Sequence, residues 1–312
     1  MPGESYRDPL PPLTVAEVAL KSALEKNLHK LAVEIGERNY SKYAQLINTA
    51  NFIADKFSGF GYQVRRQNYE VDNQQFENLE VEIQGSYQPE QIVVIGGHYD
   101  SVFNCPGAND NGTGTAAVLE LAKAFAGKKI SRTLRFVEFV NEEPPFFMTT
   151  NMGSLVYAKK CRQNQENIVA MLSLETIGYY SDKLGSQKFP PGLDSFYPST
   201  GNYITFVSNL KNRKLVCDVI SSFRSHTNFP SEGAALPELF SGIDLSDHWS
   251  FWQENYPALM VTDTAFFRYP YYHQPEDTLD KVDFDRFTRV VAGLARVIAD
   301  LVGVIKGSII DN

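Results

Sequence analysis

Cysteine is scarce in this 312-residue chain: Cys105, Cys161 and Cys217 are the only three, and they lie far apart. They form no Cys-x-x-Cys pair, which points away from a disulfide scaffold and from a cysteine-built zinc knuckle. Positive charge is also in short supply, with 29 Lys and Arg against 37 Asp and Glu and a formal net charge of −8. Phosphate binding needs concentrated positive charge, so nucleic acid is not an expected partner. An uninterrupted apolar run is lacking too. The most apolar segment, Val290–Ile310, is broken by Arg296, Asp300 and Lys306, so it reads as an amphipathic helix on a core and no membrane span is expected. The opening stretch MPGESYRDPLPP lacks the basic-then-apolar layout of a secretory signal. A cytoplasmic location is therefore expected; secretion would need a leader ahead of these residues.

What remains is ordinary for a globular protein: 43% hydrophobic and 21% charged residues, at a length that fits one large α/β domain or two small ones. Residues 1–12 read as a proline-rich flexible arm and residues 13–312 as a single domain. Helical spacing runs from Leu13 to about Phe60, with His29 a surface or packing residue. YQVRRQNYEV and FENLEVEI read as a hairpin through DNQQ. Strands and helices then alternate: QIVVIGG, TGTAAVLELAKAFA, TLRFVEFV, a helix near Leu155–Cys161, IVAMLSLE, YITFVS, a helix over about Lys211–Arg224, and PALMVTD. That alternation is the α/β pattern.

Polar residues with metal-binding chemistry follow the strands. GGHYDS places His98 and Asp100 after QIVVIGG, and the loop ANDNGTG that follows holds Asp110. Glu142 and Glu143 follow TLRFVEFV, Glu175 ends IVAMLSLE, and His273 lies in the loop after PALMVTD. Open α/β sheets bind ligands beyond the carboxyl ends of their strands. Imidazole and carboxylate suit zinc, and two ions can share one bridging carboxylate. Asp110 is a natural bridge, and of the adjacent glutamates one can coordinate while the other takes a proton.

The motifs GGHYDS, ANDNGTG, NEE, SLETIG, SDHWSF and YHQPEDT occur in this order over about Leu28 to Val304. In these the chain resembles the co-catalytic zinc aminopeptidase family of bacterial leucyl aminopeptidases and glutamate carboxypeptidase. The resemblance implies a mixed, mostly parallel sheet with helices on both faces, and two zinc ions per chain. His98 and Glu175 would complete one metal site, Glu143 and His273 the other, with Asp110 bridging them and followed by a cis peptide. Glu142 would be the general base and Tyr272 would assist the developing oxyanion. Asp100 would orient His98, and Asp247 would lie near the site, with His248 more a structural histidine than part of the chemistry. The activity implied is hydrolysis of amino-terminal residues from peptides with a free N-terminus, by a water held between the metals. A one-zinc glutaminyl cyclase is the competing enzyme, although Asp110-Asn111-Gly112 has the peptidase form. A carboxypeptidase or dipeptidase is a further alternative, and a metal-free receptor-like relative is the non-enzyme one. Two features depart from the family: Glu175 stands where Asp is usual, and a long aromatic loop, PPFFMTTNM, follows Glu143. Phe146 and Phe147 in that loop could line a substrate pocket or pack the loop down.

Overall fold

The computed structural model describes residues 1–305, so the expected helix tail at 306–310 lies outside the described residues. The helical stretch after Leu13 forms two helices, α1 (Val15–His29) and α2 (Tyr43–Gly59), with a widened turn at Lys30–Ile35 between them. Thr14 and Glu17 cap α1 reciprocally: the Thr14 hydroxyl accepts the Glu17 N–H at 3.2 Å, and the Glu17 carboxylate accepts the Thr14 N–H at 2.7 Å. Strands β1 (Arg65–Val71) and β2 (Gln74–Ile83) form the expected hairpin. Its turn is only Asp72-Asn73, both at positive φ, as a tight two-residue hairpin requires. Gln74 and Gln75 of the suggested turn instead pair with Val71 and Glu70.

The α/β alternation continues with β3 (Gln88–His98), α3 (Gly114–Phe125), β4 (Arg132–Phe139), α4 (Gly153–Gln163) and β5 (Asn167–Glu175). It closes with β6 (Ile204–Asn209), α5 (Arg213–His226), β7 (Ser231–Leu236), α6 (His248–Gln253), β8 (Ala258–Thr262) and α7 (Phe284–Val302). Strand β7 is invisible to pattern reading because its sequence, SEGAAL, has neither β-branched residues nor alternation.

The eight strands form one mixed sheet in the order β1-β2-β4-β3-β5-β8-β6-β7. The central run β4-β3-β5-β8 is parallel throughout. Alternate residues of β3 point to opposite faces: Val93 and Ile95 pack with α3 and α7 residues such as Leu121 and Leu294, while Val94 packs with Tyr157 of α4 and Phe251 of α6. Both faces are covered, which explains why QIVVIGG reads as a continuous apolar run. Strand order reverses around β3, so its carboxyl end opens onto a crevice.

Residues 1–12 have no helix or strand. Arg224 donates to the carbonyls of Pro2 and Gly3 at 3.1 and 2.9 Å, and the Ser5 hydroxyl accepts the Ser231 N–H at 2.9 Å at the start of edge strand β7. Among the described residues, no helix is long and apolar enough to cross a membrane.

Candidate metal centre

His98 is the last residue of β3 and Glu175 the last of β5, so two neighbouring parallel strands deliver them side by side. The His98 Nε2 lies 3.2 Å from Glu175 Oε2, 3.5 Å from Asp110 Oδ1 and 3.7 Å from Glu142 Oε2. The other Asp110 oxygen, Oδ2, lies 3.1 Å from His273 Nε2, which is itself 3.4 Å from Glu143 Oε2. Two triads result, His98–Asp110–Glu175 and Asp110–Glu143–His273, with the donor atoms of each within 4.8 Å of one another. Asp110 belongs to both.

The backbone around Asp110 is fixed from several sides. Its peptide to Asn111 is cis, as the resemblance implied. The Asn111 side chain donates to the Leu174 carbonyl at 2.8 Å and accepts the N–H groups of Gly114 and Thr176, each at 3.1 Å. That amide ties the Asp110 loop to the end of β5. A Cβ at Gly114 would sit 2.3 Å from Asn111 Oδ1 and 2.4 Å from the Leu174 carbonyl, so only glycine permits this contact. Positive φ at Asn141, Thr176 and His273 marks the residue before Glu142, the residue after Glu175, and a member of the second triad. Left-handed backbone at bulky residues concentrates where function fixes geometry.

The electrostatics of the cluster favour a bound cation. Burial pushes the carboxyls of Glu142 and Glu143 well above the carboxylate range; Asp110 and Glu142 raise Glu143 further, and Glu175 raises Glu142 against the pull of His98. Burial opposes the imidazolium of His98, but Glu142 and Glu175 hold its proton affinity well above the usual value. Burial also opposes ionisation of Asp110, yet the adjacent imidazoles of His273 and His98 leave it below the ordinary aspartate range. His98 Nε2, Asp110 Oδ2, Glu143 Oε1 and His273 Nε2 are all buried without a hydrogen-bond partner. Buried polar atoms seldom go unsatisfied, and a cation held by nitrogen and oxygen donors would satisfy these. The donor set fits zinc.

The remaining expected residues take distinct places. Asp100 Oδ1 lies 3.4 Å from His98 Nδ1, and its carboxylate also accepts the N–H groups of Glu142 and Glu143. The Tyr272 ring stacks on His273 at 3.9 Å; burial raises its phenol well above the usual value, with Asp110, Glu143 and Glu175 adding to the effect. Asp247 is fully buried at the start of α6 with both oxygens unpartnered, and burial pushes it up to about 7 despite the opposing influence of His98. His248 bonds the Ile243 carbonyl at 2.6 Å and meets Trp252 edge-on, a packing role. Phe146 packs against Tyr40 and Phe76, so it holds the loop down; Phe147 is half-buried. The longer stem of Glu175 is steadied by the Ser246 hydroxyl, which donates to its Oε2 at 2.8 Å.

Several residues at the site escape sequence reading. Arg38 is fully buried and donates to the carbonyls of Tyr99, Pro106 and Gly107 at 2.7, 2.6 and 2.8 Å, stapling the loop between His98 and Asp110. Asp263 accepts the Asn109 side chain at 2.9 Å and the Tyr179 N–H at 2.8 Å. Asp277 accepts the N–H groups of Asn109 and Asp110, and its only signal in the sequence is an acidic side chain four positions after the candidate ligand His273. An apolar cavity of about 80 Å³ is lined by residues including Val207, Ala234, Ile243, Met260, Thr262 and Phe266. Thr262 pairs with Glu175 across β5 and β8, and the Phe266 ring lies 5.8 Å from that of Tyr272.

Known proteins share this architecture. A model described as peptidase family M28 matches residues 78–298. The uncharacterized protein YfbL of Escherichia coli (strain K12) is 32% identical over 280 residues, covering 87% of this chain and 85% of that protein. A probable leucine aminopeptidase of Trichophyton verrucosum is 27% identical over 304 residues, 88% of this chain and 73% of that one. Among solved structures, BSAP, a zinc aminopeptidase from Bacillus subtilis, superposes with a TM-score of 0.70 at 15% identity, covering 90% of this chain and 95% of that one. A Porphyromonas gingivalis glutaminyl cyclase does so at 0.65 and 15% identity, covering 90% and 98%. These two superpositions support the fold.

Proposed function

The chain belongs to peptidase family M28, and on that premise we propose that it is a zinc aminopeptidase with two ions per chain, removing N-terminal residues from peptides. The observation that carries this reading is the position of Asp110, one oxygen toward His98 and the other toward His273. His98, Asp110 and Glu175 would hold one zinc, and Asp110, Glu143 and His273 the other. When bound, zinc activates a water and polarises the scissile carbonyl as a Lewis acid.

The chain's own residues do the rest. Glu142 has no place in either triad, and its buried carboxyl has a raised proton affinity. It takes the proton from the attacking water and delivers it to the leaving amine nitrogen. The Tyr272 hydroxyl donates to the carbonyl oxygen as that oxygen gains charge. Asp100 and Asp247 act behind the ligands, Asp100 by fixing the His98 ring and the backbone of the glutamate pair. The apolar cavity beside Thr262 receives the side chain of the residue removed, which favours peptides beginning with an apolar residue.

Zinc analysis together with a substrate panel tests the proposal. Two zinc ions per chain are expected, with hydrolysis of leucyl and phenylalanyl substrates and none of their N-blocked forms. One ion together with cyclisation of an N-terminal glutaminyl peptide would establish the cyclase reading instead.

A further inference from the structure

Six consecutive residues, Tyr272 to Asp277, carry two groups of unlike standing. His273 is the most exposed member of either triad, its side chain 32% accessible against 1% for His98. Asp277, four residues on, is fully buried. Its Oδ1 accepts the Asn109 N–H at 2.8 Å and the Tyr269 hydroxyl at 2.6 Å, while Oδ2 accepts the Asp110 N–H at 3.0 Å. The Asp277 carbonyl accepts the Ala108 N–H at 3.2 Å. One residue thus joins the segment bearing His273 to the loop bearing Asp110.

The two sides of that joint are unequally secured. Without Asp277, the Asp110 loop would still be held by Arg38 on Pro106 and Gly107, by Asn109 on Asp263 and by Asn111 on Leu174. The His273 segment would keep one side-chain hydrogen bond to that loop, from the Cys105 thiol to the Gln274 carbonyl at 3.1 Å. Loss of the Asp277 carboxylate takes an acceptor from the Asp110 N–H, but that loop keeps its other ties. The His273 segment is left with the Cys105 thiol bond and the Asp277 carbonyl's bond from the Ala108 N–H, so His273 is the less secured of the two.

We infer that Asp277 is a positioning residue that sets the affinity of one ion only, the zinc held by Asp110, Glu143 and His273. The inference rests on the two-ion reading above. The Asp277→Asn variant keeps size and shape, but its amide NH2 can no longer accept one of the two backbone N–H groups, a buried loss. Tyr269→Phe removes only the 2.6 Å hydroxyl bond and so loosens the same carboxylate more gently.

The test is titration of metal-free full-length protein with zinc against a competing chelator, resolving each ion's affinity. Wild type is expected to take two ions. Asp277→Asn should hold the first as wild type does and weaken the second by about 10–100-fold, the usual effect of removing a group behind a ligand. Tyr269→Phe should weaken the same ion by less. Activity of Asp277→Asn should recover at high zinc, which a misfolded site would not do. Equal weakening of both ions, or of neither, overturns the inference, and if Asp277→Asn fails to fold, Tyr269→Phe decides by the same criterion. Uptake of a single ion by wild type overturns the two-ion reading itself, a result seen without any variant.

Discussion

Asp100 lies 3.4 Å from the Nδ1 of His98 while accepting the backbone N–H groups of Glu142 and Glu143 at 3.2 and 3.0 Å. One carboxylate therefore lies beside an imidazole at the end of β3 while accepting the backbone of the glutamate pair that follows β4. In Asp100→Asn one accepting oxygen becomes an NH2, so one of the two backbone N–H groups loses its acceptor, and the His98 ring loses its partner charge. Zinc affinity is expected to fall by about 10–100-fold. Chelator competition measures this, and an unchanged affinity would show that Asp100 does not orient His98.

The adjacent glutamates should separate cleanly. Glu143→Ala removes a proposed ligand, so zinc content and activity should fall together and recover in part with added zinc. Glu142→Gln leaves every proposed metal bond in place and should retain both ions while turnover drops by about 10²–10⁴. Elemental analysis beside steady-state rates distinguishes the two. Zinc loss from Glu142→Gln with retention in Glu143→Ala would reverse their roles.

Cavity shape should set the preferred first residue. Ala234 is buried and lines the apolar cavity, so Ala234→Phe fills it from the floor of β7. The kcat/KM for leucyl and phenylalanyl substrates should fall by at least about tenfold, and for alanyl substrates by much less, as expected for a hydrophobic pocket losing room. A uniform loss across the series would place the selecting surface elsewhere.

Acid should destabilise the fold through His248. Burial holds its imidazole down to about 4, against 6.5 for a free side chain. Below pH 6.5 the unfolded chain takes up a proton that the folded one refuses, so this contribution is present above 6.5 and lost as pH falls toward 4. The loss is at most about 3 kcal/mol at 1.36 kcal/mol per pKa unit. Denaturant melts of metal-free protein should show His248→Gln closing on wild type by up to that amount between pH 7 and 4. Parallel pH profiles would count against a neutral buried His248.

The parts of the site legible in the sequence are those whose position follows from a strand. His98 and Glu175 end apolar runs, so locating the strands located them, and the Glu142-Glu143 pair follows a third run directly. The residues that escaped reading act through backbone atoms distant in the chain. Arg38 meets carbonyls more than sixty residues away, and Asp277 meets N–H groups at separations of 167 and 168. A buried arginine or aspartate serving main-chain groups looks like any solvated charge until the chain is folded. Strand β7 was missed for a different reason: small residues suffice at an edge where Tyr197 and the first residues of the chain lie alongside it.

Arg38 has a consequence for where the working unit begins. The match to the family model starts at residue 78, forty positions after the arginine that donates to the carbonyls of Tyr99, Pro106 and Gly107. A boundary drawn there would take the Arg38 donor from the buried Tyr99 carbonyl, at a cost of about 1–3 kcal/mol, and from Pro106, while the Gly107 carbonyl would keep the Gly112 N–H. The segment ahead of the first strand thus braces the loop between His98 and Asp110 from outside the matched region.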